Sequence, residues 1–241
     1  MAASVTQRTK RRLGISHQTS SRRPPLVIER ARPAIAAVDL YWLPLGAGGH
    51  SVRLNGRVYE FVAARLARRP RRALYHSALV VRVPEGRFVI EMAPVGRSDA
   101  TERGVVAAGA VGARAAGRLR LFRYEVRRWR DGLISDVDEA VESPRRLSED
   151  ADTARRLLEL VPSVPTAVWG RDELRAGEMW NSNSLISWLV ARSGLDVGSI
   201  CPPAGGRAPG WDAGVVIAHR DAAAGEFTGE YGINSLQIST F

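Results

Sequence analysis

Apolar and polar positions alternate along the first half of the chain and fall into helical spacing in the second. Ile35–Leu45 sets Val38, Leu40 and Trp42 on one face, which predicts a strand ended by Gly46-Ala47-Gly48-Gly49. Val52-Arg53-Leu54 and Arg57-Val58-Tyr59 flank Asn55-Gly56, a pair that accepts the positive φ of a type I′ turn, so a hairpin is predicted there. Phe61–Arg69 reads as a short helix stopped by Pro70. Leu74–Val83 and Arg87–Met92 are two β-rich runs joined through Pro84-Glu85-Gly86, a second hairpin. Residues 104–117, rich in Gly and Ala, read as a loop. Arg118–Val126 alternates like a strand, but either of its faces could be the buried one. Ser148–Val161 predicts a helix, with Ser148 as cap, Glu149 and Asp150 beside its positive end, and an apolar stripe of Leu157, Leu158 and Val161. Asn181–Arg192 is the clearest helix, with Leu185, Trp188 and Leu189 on one side and Gly194 just past its end. Asp212–His219 reads as a last short strand.

Strands first, helices later and one closing strand predict an α+β fold, a mostly antiparallel sheet with helices packed on one side. The division expected is a disordered basic arm at residues 1–33, a folded domain at 34–221 and a loose Gly-, Ala- and Ser-rich tail at 222–241. The net charge of +10 sits mainly in the arm, where eight basic residues face Glu29 alone. Such an arm can make weak contact with a polyanion, and its acid-poor, Arg- and Ser-rich makeup also fits an organellar transit peptide. Lys10 is the only lysine, a bias that a GC-rich genome produces without selection for binding. No apolar run is long enough to span a bilayer, and no apolar segment follows the basic start as a secretory signal requires. A soluble, cytoplasmic protein is therefore expected. Neither the substrate nor the oligomeric state is written in the sequence.

Cys201 is the only cysteine, which excludes an intrachain disulfide and a thiolate zinc site. Neither GxGxxG nor GxxxxGK[ST] occurs, and Gly46–Gly49 is not followed by a helix, so no cofactor or metal is expected. Acid–base chemistry is confined to His17, His50, His76 and His219. His17 lies in the arm, His219 ends the last predicted strand, and His50 opens a strand after the glycine loop. His76 begins the run Tyr75-His76-Ser77-Ala78-Leu79-Val80-Val81, and the hairpin returns Glu91 towards it, so a carboxylate can orient the imidazole. A second cluster, Glu178-Met179-Trp180-Asn181-Ser182-Asn183-Ser184, opens the best helix. Ser182 there stands near backbone N–H groups able to hold an oxyanion. Asn and Ser are also the preferred capping residues, so the cluster reads equally as a plain helix start, with Trp180 in the core or at a cleft.

A His-bearing Tyr-His-Ser-Ala-Leu-Val-Val strand, a Glu on the next strand and a late Asn-Ser-Asn-Ser at a helix start resemble the circularly permuted papain-like hydrolases. That group includes the PPPDE peptidases and permuted NlpC-type amidases. The resemblance covers about Val38 to Arg192 through few, short identities. It implies a permuted papain-like fold with His76 as base, Ser182 where the family has cysteine, and Glu91 as the third polar residue. The implied activity is a hydrolase or acyltransferase acting on an amide, ester or thioester. Serine is far less acidic than cysteine, so it would need His76 to take its proton during attack. The alternative is an inactive member that binds a partner. Cys201 does not match the motif position and reads as a half-buried structural residue.

Overall fold

The computed structural model describes residues 36–45, 65, 68, 70–96 and 100–234, the last ten as backbone only. The basic arm, His17, His50, the Gly46–Gly49 loop, the Asn55-Gly56 hairpin, nearly all of the Phe61–Arg69 helix and residues 235–241 lie outside them. Among the described residues the strands are β1 (Ala37–Pro44), β2 (Tyr75–Val83), β3 (Gly86–Pro94), β4 (Val105–Ala110), β5 (Arg123–Arg130) and β6 (Val141–Ser148). They form one antiparallel sheet in the order β4-β5-β3-β2-β1-β6. Three helices follow: α1 (Ala151–Leu160), α2 (Ser182–Arg192) and α3 (Trp211–Asn234). The fold is α+β, as the element order predicts.

β1 and the β2–β3 hairpin lie where alternation places them. Pro84 and Glu85 make the turn, and Gly86 closes it at φ 147°, a conformation that a side chain would strain. Four segments differ from expectation. The Gly- and Ala-rich stretch forms edge strand β4, because its backbone pairs with β5 although its side chains are too small to show a period. Residues Ala115–Arg118 and Arg120–Phe122 are 3-10 turns, so β5 starts at Arg123 rather than Arg118. Ser148 ends β6, an unpredicted strand, and Asp150 caps α1 by accepting from the Thr153 N–H at 2.7 Å. Asp212–His219 is helical, since a short apolar run such as Val215-Val216-Ile217 carries no period of its own. The α3 helix continues to Asn234, into the stretch expected to be a loose tail.

The two faces of the sheet differ in chemistry. Val38, Leu40 and Trp42 of β1, Leu79 and Val81 of β2, Ile90 of β3, and Tyr124 and Val126 of β5 share one core. The buried residues of all three helices join that core, so among the described residues the helices lie on one face. Leu43, Ala78, Val80, Val89 and Ile134 form a smaller cluster on the other face. That second face is flanked by ions. The buried Asp39 carboxylate accepts from Arg82 and Arg146, each at 2.5 Å, and Glu125 accepts from Arg103 at 2.5 Å and Arg127 at 3.1 Å. Burial would raise the Glu125 carboxyl, but hydrogen bonds from Arg103 and Arg127 hold it below the usual range.

Helices α2 and α3 touch through small residues. Ser184 Oγ donates to the Gly210 carbonyl at 2.7 Å and Ser187 Oγ to the Trp211 carbonyl at 2.6 Å. A Cβ on Gly214 would stand 2.1 Å from both the Ser184 carbonyl oxygen and Ser187 Oγ. Gly214→Ala should therefore force the helices apart and cost about 2–3 kcal/mol in urea unfolding, although alanine favours helix. An unchanged midpoint would contradict this close crossing.

Candidate functional site

The start of α2 is built from its own side chains. Asn181 caps the helix, its Oδ1 accepting from the N–H groups of Asn183 at 2.9 Å and Ser184 at 3.3 Å. Ser184 Oγ answers by accepting from the Asn181 N–H at 3.1 Å, which completes a capping box. Asn183, 2% exposed, then reaches outward from the helix. Its Nδ2 donates to the carbonyls of Tyr75 at 3.0 Å and Pro209 at 2.9 Å, and its Oδ1 accepts from Ser77 Oγ at 2.9 Å. Asn181 Nδ2 donates to the same Pro209 carbonyl at 2.8 Å. Helix α2 is thus tied at one point to strand β2 and to the segment entering α3.

That tie fixes the phase of β2. Tyr75, Ser77, Leu79 and Val81 face the helices, so His76 must face the other way, with Ala78 and Val80. There the His76 Nε2 lies 3.2 Å from Asp136 Oδ2, the side chains being 26% and 11% exposed. Burial would raise the Asp136 carboxyl, yet the hydrogen bond and charge of His76 hold it below the ordinary range. Glu91 shares the His76 face but bonds Arg127 Nη1 at 2.7 Å. The β2–β3 register pairs Leu79 with Ile90, which leaves Glu91 opposite Ala78 rather than His76.

His76, Glu91 and Ser182 therefore do not form one cleft. His76 and Glu91 share a face without pairing, and the helix carrying Ser182 packs on the opposite face. The physical reason is the two-residue period of a strand, in which a shift of one position reverses the side chain. The orienting carboxylate comes instead from Asp136, sixty residues beyond His76 on a segment that covers the ionic face. A carboxylate–imidazole pair with partial exposure can hold and move a proton. Asp136 is the site residue that the sequence does not announce, and for Ser77 and Asn183 it shows the residues but not their bond to each other. The only signals for them are a loop acid and a helix-start amide, types common everywhere.

The remaining candidates are placed as follows. Trp180 is core, 1% exposed, and its indole N–H has no partner among the described residues. His219 is exposed on α3. Cys201 is exposed rather than half-buried. It stands on an open groove of about 430 Å³ that Glu178, Arg207, Trp211 and Asp212 also line. No group of three His, Cys, Asp or Glu side chains suited to a metal ion occurs among the described residues. Compared with protein-family models, curated proteins and solved structures, the chain finds no match.

Two outcomes follow from this geometry. Asn183→Ala removes the partner of the buried Ser77 hydroxyl and of the Tyr75 carbonyl, while Pro209 keeps Asn181, and should cost about 2–3 kcal/mol, whereas Ser182→Ala should stay within about 1 kcal/mol. Equal losses in chemical denaturation would refute the tie. Because the folded Asp136 pKa is lowered, its contribution is complete above its unfolded pKa of about 4 and is lost as pH falls through the folded value. The stability gap between wild type and Asp136→Asn should accordingly hold at about pH 5 and close towards pH 3. A gap that does not change over that interval refutes the linkage.

Proposed function

We propose that this chain is a binding protein, an inactive relative of the permuted papain-like hydrolases, and that its partner is a polyanion. The observation that carries the reading is the phase of β2, which turns Ser77 to the start of α2 and His76 away from it. The element order still fits the resemblance: a strand bearing the motif histidine, its hairpin partner, and a later helix opened by Asn-Ser-Asn-Ser. In the active families a strand imidazole serves the nucleophile at the helix start. Here a serine stands on that strand face, and a closed set of hydrogen bonds ties it to the helix. A nucleophile at Ser182 would need a base on its own face of the sheet, and His76 and Glu91 both belong to the other.

The polyanion half rests on charge. The chain has 35 basic residues, and the guanidinium fork that most of them carry suits phosphate and sulfate oxygens. Residues 1–33 carry eight of those charges against one acid. The test has two parts. A fluorophosphonate probe should leave Ser182 unlabelled while it labels a serine hydrolase treated alongside. Binding to heparin should weaken steeply with salt, and removing residues 1–33 should flatten that dependence, because fewer counterions are released. Labelling that Ser182→Ala abolishes would restore the hydrolase reading, and salt-independent or absent heparin binding would remove the polyanion.

A further inference from the structure

Gly104–Tyr124 contains four arginines and no acid, and it ends in Arg118-Leu119-Arg120-Leu121-Phe122-Arg123. Leu119, Leu121 and Phe122 are 61%, 85% and 42% exposed. Arg118, Arg120 and Arg123 alternate with them, all exposed. This display is held by backbone hydrogen bonds: Gly117 to the Arg114 carbonyl at 3.1 Å, and Leu119 to Ala116 and Phe122 to Leu119 at 2.9 Å each. The Phe122 carbonyl in turn accepts from the Val111 N–H at 2.8 Å, which fastens the turns to the end of β4. Three large apolar side chains together on a hydrogen-bonded surface turn lose free energy to water unless something covers them.

We propose that this turn docks on an anionic lipid surface, Leu119, Leu121 and Phe122 entering the acyl boundary while the arginines meet headgroup phosphates. The inference rests on the polyanion reading above and names the kind of polyanion. Charge complementarity requires an anionic partner. The two leucines, the most exposed of the three, select lipid over nucleic acid, because they have no π-face on which a base can stack, whereas an acyl chain welcomes a branched aliphatic group. Among the described residues no helix is long and apolar enough to cross a membrane, so this contact would be peripheral.

The test uses the full chain, sedimented with vesicles of phosphatidylcholine alone or of phosphatidylcholine containing phosphatidylserine, with heparin retention measured in parallel. Wild type should bind only the anionic vesicles. The triple variant Leu119→Ser, Leu121→Ser, Phe122→Ser should lose about tenfold or more in vesicle binding yet keep its heparin retention. The pair Arg118→Gln, Arg123→Gln should lose about fivefold per arginine on vesicles. Leu121→Ser alone, at so exposed a position, leaves the core untouched and should already weaken vesicle binding. Vesicle binding unchanged in the triple variant would overturn the inference while leaving the polyanion reading standing. So would tighter binding to single-stranded RNA that the triple variant also loses. A wild type that fails on heparin and vesicles alike would overturn both.

Discussion

The Asn183 amide is the contact on which the described architecture turns. It joins three segments distant in sequence: Tyr75 and Ser77 of β2, the first turn of α2, and Pro209 before α3. All its polar atoms are used, and burial makes each of them costly to leave unpaired. Because it binds both the strand backbone and a strand side chain, it sets where α2 starts and how that start meets the sheet. Leu185, Ile186, Leu189 and Val190 are then carried into the core. The small-residue crossing of α3 over α2 begins at the next residue, Ser184, and continues one turn on at Ser187.

Once β2 is held in that phase, the chemistry of both faces follows. Odd-numbered β2 positions enter an apolar core, and even-numbered ones meet a face of ion pairs around a small apolar patch. Asp39 between Arg82 and Arg146 links β1, β2 and β6, while Glu91, Arg127, Glu125 and Arg103 link β3, β5 and the segment before β4. Such buried ions add little stability over well-packed apolar groups, but a register slip would leave a charge unpaired. Specificity of strand pairing is therefore the physical role these networks suit best.

What could be read from the sequence was local. β1, the β2–β3 hairpin and α2 carry large side chains in clean alternation or a recognisable cap, and they lie where their patterns place them. β4 is two valines followed by Ala-Ala-Gly-Ala, a run with no alternation, and its fitness as a strand lies in letting Tyr124 pack against Gly109. β6, the last strand of the sheet among the described residues, contains Pro144 and two arginines, a composition that a sheet edge accepts and a pattern search rejects. For α3, three consecutive apolar residues gave no period, and packing against α2 decided the matter. At the site, residue types were legible and phase was not. That His76 sits near a carboxylate follows from chemistry, but which carboxylate depends on a loop sixty residues away.

On the proposed reading, the start of α2 looks catalytic and serves as structure. An oxyanion at Ser182 would need the free N–H groups at the beginning of α2. The Asn183 and Ser184 N–H groups donate to the Asn181 carboxamide oxygen, and the Asn183 side-chain N–H groups donate to two carbonyls. An incoming oxyanion would have to displace a cap that is itself anchored to Pro209. Ser77 spends its proton on Asn183, so the strand offers the helix a hydrogen bond and not a base. The residues that make the motif resemble a nucleophile site are, in this chain, the ones that join helix to sheet. Catalysis and cohesion compete there for the same few donors, and cohesion holds them.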